Sequence, residues 1–181
     1  EKENEIKEAR MLLEHAHEKY EVLRQEYANA RHLYEEKIAG YRNFVNKIWN
    51  AGRFALLTIS EKPTESIDPK KLSLVDKWIL SRTNTLIRET TKDLEKYRFS
   101  DASTKIYDFT WNEFCDWYLE CSKVLPSPAV LKYVFETILK LLHLFMPFVT
   151  EVLWEKLQGE TSDPSQMLIH QSWPRPIKKY D

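Results

Sequence analysis

Glycine is nearly missing from this chain: three residues in 181, at positions 40, 52 and 159. A glycine-rich phosphate cradle therefore has no material to form from. Cysteine is almost as scarce, with only Cys115 and Cys121, six positions apart. Two thiols cannot build a disulfide framework, and with so few histidines nearby they make a poor metal site. Neither sign of charge is in excess, since 27 Lys and Arg stand against 28 Asp and Glu for a net charge of −1. Any affinity for nucleic acid must then come from a local patch. No run of about 18 apolar residues is present, so no membrane span is expected. No basic stretch leading into an apolar run opens the chain, so no secretory leader is expected either. These absences point to a cytoplasmic chain with no membrane partner.

The usual catalytic signatures are also missing. There is no Gly-x-x-x-x-Gly-Lys-Ser/Thr, no Gly-x-Gly-x-x-Gly and no His-Glu-x-x-His. The five histidines are scattered at 15, 17, 32, 143 and 170, and His15 and His17 fall on different faces of a helix. Cys115 sits between Phe114 and Trp117 in a segment that reads as core, which favours a buried structural thiol over a nucleophile. Glu113 and Asp116, three apart beside Trp111 and Trp117, read as a helix face that pairs with Arg or Lys of a neighbouring element. No catalytic residue, no metal ligand and no cofactor are expected in this chain.

What is present is helix. Residues 1–39 hold neither Gly nor Pro. Ile6, Ala9, Leu13, Ala16, Tyr20, Leu23, Tyr27, Ala30 and Tyr34 recur at alternating spacings of three and four. That is a heptad seam, and it predicts a coiled coil over residues 1–37, with a helix partner or self-association through residues 6–34. The alternative is one amphipathic helix lying on the remainder of the chain. Gly40 is an expected soft point at the seam's end. Residues 38–159 predict a bundle of four or five helices, and 160–181 an irregular tail with a short extended run at Met167–Ile169. Within the bundle, Phe44, Val45, Ile48, Trp49, Phe54 and Leu56 supply the buried stripe of the opening helix. Residues 60–72 read as a loop, and Ser73 with Asp76 as a capping box. The next helix ends near Tyr97. Ser100 then caps a helix over 101–123 whose buried stripe includes Ile106, Phe109, Trp117 and Cys121. An apolar helix runs from Ala129 to Phe145, and a last one from Phe148 to Leu157 is closed by Gly159.

One stretch stands apart. Residues 38–59 carry Arg42, Lys47 and Arg53 and no carboxylate. On a helix, Arg42, Asn46, Asn50 and Arg53 share one face, with Asn43 and Lys47 beside it. Cations meet phosphates, whereas amides and Arg read base edges, and nearby aromatics stack on unpaired bases. Three Asn in one helix oppose helix propensity. The competing reading is that these amides satisfy buried backbone groups inside the bundle.

The segment Ile38–Leu57 (IAGYRNFVNKIWNAGRFALL) resembles the opening helix of the anticodon-binding domain of valyl-tRNA synthetases, which are class I aminoacyl-tRNA synthetases. The resemblance continues at Asp76-Lys-Trp-Ile-Leu-Ser-Arg82 and at Tyr97-Arg-Phe-Ser-Asp-Ala102. It is strongest at Tyr107-Asp-Phe-Thr-Trp-Asn-Glu-Phe-Cys-Asp-Trp-Tyr-Leu-Glu120. It resumes at Leu139-Lys-Leu-Leu-His-Leu-Phe-Met-Pro-Phe-Val-Thr-Glu151 and at Trp173-Pro174. It implies an all-α bundle that grips the anticodon stem-loop of valine tRNA. Arg42, Asn43, Asn46, Lys47, Asn50 and Arg53 are then its RNA-contacting candidates, while Trp111, Trp117 and Tyr118 serve core and shape. The parent enzyme would join valine to its tRNA using ATP in a catalytic domain whose His-x-Gly-His and Lys-Met-Ser-Lys-Ser signatures are absent here. Residues 1–34 do not resemble what precedes this domain in the family and read as foreign or fused. A helical interaction or scaffold protein without an RNA role is the alternative.

Overall fold

The computed structural model describes residues 2–60, 66–159, 163–177 and 179. With no Pro before position 63 and Gly only at 40 and 52, the N-terminal sequence forms one helix, α1 (Lys2–Ser60). The chain divides into two units, Glu1–Asn43 and Phe44–Asp181, six residues beyond the boundary expected from sequence.

In the first unit the seam residues Ile6, Leu13, Tyr20, Leu23, Tyr27 and Tyr34 are each more than half exposed. Short-range pairs decorate the helix: Arg31 Nε donates to Glu35 Oε1 at 2.9 Å and Gln25 Nε2 to Asn29 Oδ1 at 3.0 Å. Such exposed pairs contribute only a few tenths of a kcal/mol each. The soft point expected at Gly40 does not occur, because the helix passes through it unbroken.

The second unit is a bundle. Residues 44–60 of α1 bury Phe44, Ile48, Ala51, Gly52 and Ala55, a stripe at helical spacing. Trp49, expected in that stripe, is 37% exposed. There follow α2 (Leu74–Glu95), α3 (Phe99–Asp108), a π-helical segment (Phe109–Tyr118), α4 (Leu119–Val124), α5 (Pro128–Leu142) and α6 (Pro147–Gln158). No strand occurs among the described residues. Helix α5 is the core's centre: Val130, Leu131, Val134, Phe135, Ile138, Leu139, Leu141 and Leu142 are all buried. Gly52 lets α1 come close to it. A Cβ there would meet Leu153 Cδ2 at 2.6 Å and Phe135 Cζ at 3.1 Å.

Local signals explain most helix ends. Ser73 Oγ accepts from the Asp76 backbone N–H at 3.1 Å and Asp76 Oδ2 accepts from the Ser73 N–H at 3.1 Å, the reciprocal capping box read from sequence. Helix α2 ends in a Schellman-type turn in which the Arg98 N–H reaches Asp93 O at 2.9 Å. That turn holds Tyr97 at a φ of 58°, a place glycine would occupy with less strain. Buried Asp93 locks the corner by accepting from Arg98 Nη2 and, at 2.6 Å, from Lys105 Nζ on α3. The hydrogen bond from Lys105, reinforced by the Arg98 charge, holds the Asp93 carboxyl below its usual range.

Three expectations fail. Ser100 does not cap α3, which begins at Phe99 after Arg98, two residues before the expected start. The helix it opens changes register at Phe109, where hydrogen bonds such as Leu119 N–H to Phe114 O span five residues. Buried positions therefore step from Phe109 and Thr110 to Phe114 and Cys115, then to Tyr118 and Leu119, at the wider π spacing. Trp117, expected in the core, is thereby turned outward and is 67% exposed. The run Met167–Ile169 is not extended: Leu168–His170 is a 3₁₀ turn.

The tail is irregular but strapped down. Asn84 Nδ2 donates to Ile177 O at 2.8 Å and its Oδ1 accepts from the Ile177 N–H at 2.9 Å. Trp173 Nε1 donates to Thr91 Oγ1 at 2.9 Å, and the Leu168 N–H to Glu151 Oε1 at 2.7 Å.

Two predictions follow from this packing. Gly52→Val is expected to lower stability by about 1–3 kcal/mol through overpacking, whereas Gly40→Ala, with nothing within 4 Å of the new methyl, should stabilise α1 by about 0.5–1 kcal/mol. Thermal unfolding followed by circular dichroism checks both. For Asp93, the depressed native pKa means its contribution is present above the unfolded carboxylate value and is lost as pH falls through the native one. Asp93→Asn is expected to lower Tm at neutral pH and to flatten the decline of Tm between about pH 5 and 2.

Candidate nucleic-acid interface

The second unit's candidate residues all sit on α1, whose buried stripe fixes which way the polar side chains face. With Phe44, Ile48, Ala51 and Ala55 inward, Asn46, Asn50 and Arg53 point to solvent, and all three are exposed. The reading in which the amides satisfy buried backbone groups is thus not what the fold adopts. Among the described residues, no hydrogen bond or ion pair engages Asn46, Asn50 or Arg53. Their donors and acceptors are left to water or a ligand. Arg42 and Asn43 belong to the first unit and are exposed there.

Lys47 differs. Its Nζ lies 2.6 Å from Asp116 Oδ1 and 5.0 Å from the centre of the Trp111 ring. The hydrogen bond to Asp116 raises the Lys47 pKa against a desolvation cost, so the ammonium is charged yet neutralised by its neighbour. Arg82 is held the same way, with Nε and Nη2 donating to the two Glu113 oxygens at 2.6 and 2.7 Å. Glu113 and Asp116 therefore do pair with cations of neighbouring elements, as their spacing suggested. The π register makes this possible, turning one carboxylate toward α2 and the other toward α1. Phe44, Tyr107 and Trp111 back the Lys47 pair, with Phe44 and Tyr107 ring centres 4.4 Å apart and Tyr107 and Trp111 5.7 Å apart.

Beside Asn50 runs a shallow groove of about 270 Å³, whose walls include Lys47, Phe54, Leu119 and Lys123. Lys123 was invisible to the sequence reading, since it lies 70 positions from Arg53 and in no motif. It reaches over the Phe54 ring at 5.8 Å while both Glu120 oxygens accept from it at 2.7 Å. Cys115, on the groove floor, is buried, and burial pushes its thiol up to about 12. A thiol so hard to ionise is an inert wall. Tyr118 is raised too, by burial and by the Asp76 carboxylate it donates to at 3.1 Å.

The described residues contain no group of three or more His, Cys, Asp or Glu placed to hold a metal ion, and no helix long and apolar enough to cross a membrane. The second unit is thus an all-α bundle that turns Asn46, Asn50 and Arg53 to solvent on one helix face.

Comparison with known proteins makes the class specific. The family model described as the anticodon-binding domain of tRNA ligase matches residues 76–181, and the chain belongs to that family. Among curated relatives, a valine–tRNA ligase of Geobacter sulfurreducens is 47% identical over 161 residues, taking in 82% of this chain and 18% of the relative. That of Syntrophotalea carbinolica is 48% identical over 137 residues, covering 69% of this chain and 15% of the relative. The chain thus spans less than a fifth of the length of these relatives. Among solved structures, a LeuRS of Agrobacterium radiobacter in a ternary complex with tRNA and LeuAMS superposes with a TM-score of 0.62 at 20% identity, over 78% of this chain and 17% of that one. At that identity the likeness is one of fold. The family model's match begins at Asp76, after α1, while the Geobacter match is wide enough to reach into the residues before it.

Proposed function

We propose that this chain is the anticodon-reading part of a longer valine–tRNA ligase, and that it holds the anticodon stem-loop of valine tRNA against the exposed face of α1. The observation that carries this is the free state of Asn46, Asn50 and Arg53 on the carboxylate-free stretch 38–59 of α1. Amides paired to nothing can read base edges, and an unpaired guanidinium can meet a phosphate or a guanine. The groove beside Asn50, with the Phe54 ring and Lys123 at its wall, suits an unstacked base of a loop. The relatives' shared name supports valine as the amino acid of the parent reaction. Activation of valine with ATP would belong to the part of the parent beyond this chain, and the role of this chain is to select and orient the tRNA.

Lys47 enters indirectly in this account. Its charge is spent on Asp116, so it shapes the groove and stiffens the contact between α1 and the π segment rather than binding phosphate. With few free cations, the isolated chain should bind in the range of roughly 10⁻⁴–10⁻⁶ M at physiological salt.

Fluorescence anisotropy with a valine anticodon stem-loop, and a second loop of altered anticodon, tests this across a salt series. Asn50→Ala is expected to weaken the valine loop by about 1–3 kcal/mol and narrow the preference between loops. Arg53→Ala is expected to weaken both loops and reduce the salt slope by about 1. Asp116→Asn, which releases Lys47, should strengthen both and steepen the slope by a similar amount. Equal affinities for the two loops in every variant would remove anticodon reading from this face.

A further inference from the structure

The first unit exposes an apolar seam among its described residues, and its side chains show what would fit it. In heptad terms Leu13, Tyr20, Tyr27 and Tyr34 occupy the a positions, while Ala16, Leu23 and Ala30 occupy d. The a residues are 60–74% exposed. Large side chains at a and mostly small ones at d cannot pack well in a parallel, in-register pair. That arrangement stacks Tyr on Tyr and leaves Ala facing Ala, alternating crowded layers with empty ones.

Run antiparallel, the same seam becomes complementary to itself. Pairing Tyr20 with Leu23 of a second copy sets the two-fold axis between residues 21 and 22. Every other layer then follows: Leu13 opposes Ala30, and Tyr27 opposes Ala16, each twice by symmetry. Large meets small in these outer layers, on either side of the central Tyr20–Leu23 layers. The flanks agree. In an antiparallel pair g positions face g positions, which brings Lys19 against Glu26 and Leu12 against Leu33, again twice each. Leu12 and Leu33 are 66% and 52% exposed in the single chain and have no other visible reason to be apolar. A parallel pair would instead set Lys19 against Arg24, like against like, and Glu26 against Arg31, opposite charges, so it is the layers of the seam that separate the two orientations. The antiparallel register does bring Arg10 against Arg31 at e positions, with His17 against Arg24. Arg24 and Arg31 already have carboxylates within their own helix, Glu21 at 3.5 Å and Glu35 at 2.9 Å.

We infer that the first unit pairs with a second copy of this chain as an antiparallel coiled coil centred between residues 21 and 22. The interface is isologous, so it closes at two copies and does not propagate. It uses only residues of the first unit.

Sedimentation equilibrium of the whole chain at micromolar concentration, with circular dichroism to confirm folding, tests it. A dimer is expected, and a monomer up to about 100 μM would overturn the proposal. Lys19→Glu decides the orientation, because it converts two Lys19–Glu26 pairs into like-charge pairs when antiparallel but places Glu opposite Arg24 when parallel. Dissociation about tenfold easier in Lys19→Glu, restored in the double variant Lys19→Glu/Glu26→Lys, is expected. Unchanged or tighter association in the single variant would overturn the antiparallel register.

Discussion

The second unit depends on a change of helical register at Phe109. Over the ten residues Phe109–Tyr118 the backbone bonds five residues back rather than four. This widens the turn enough to bring Phe114 and Tyr118 into the core together, with Phe114 near-parallel to Phe135 at 6.0 Å. The same widening sends Glu113 to Arg82 and Asp116 to Lys47. An ordinary α-helix would carry these side chains round at 3.6 residues per turn and lose part of that arrangement. Core and ion pairs are thus set by one local feature, and the feature is stable only because both sides of it are satisfied.

Those ion pairs decide what the surface of α1 offers. The opening helix has cations and amides in a run free of carboxylates, but the neighbouring segment brings a carboxylate to Lys47 and neutralises it. On this face, no hydrogen bond or ion pair among the described residues engages Asn46, Asn50 or Arg53. A face with two amides and one guanidinium suits recognition more than bulk electrostatic attraction, which agrees with a net charge of −1 for the whole chain. The surrounding bundle keeps that face in place through Gly52, whose missing side chain lets α1 sit against Phe135 and Leu153.

Much of this was legible in the sequence, because its determinants are local. The capping box at Ser73 and Asp76, the proline starts of α5 and α6, the Gly159 stop and the apolar run of α5 all act within a few residues. Pairing of Glu113 and Asp116 with neighbouring cations was also readable as a type of contact, although their partners were not. The misses are non-local. Trp117 was placed in the core because a 3.6-residue period was carried through a stretch that does not keep it. Lys123 joins the groove only through folding. Ser100 has no capping role because the turn at Tyr97 and the Asp93 corner start α3 two residues earlier. The tail's regular contacts come from Asn84 and Trp173, 93 and 82 positions from their partners, and no periodic signal announces them.

The claim on which the functional reading rests is that Asn46 and Asn50 meet the anticodon loop directly. The side-chain amide resonances of these two residues, followed by nuclear magnetic resonance while a valine anticodon stem-loop is added, address it most directly. The account predicts that both shift and saturate together, with smaller changes when the anticodon is altered. Saturable binding that moves resonances elsewhere in the bundle and leaves both Asn amides in place would contradict it.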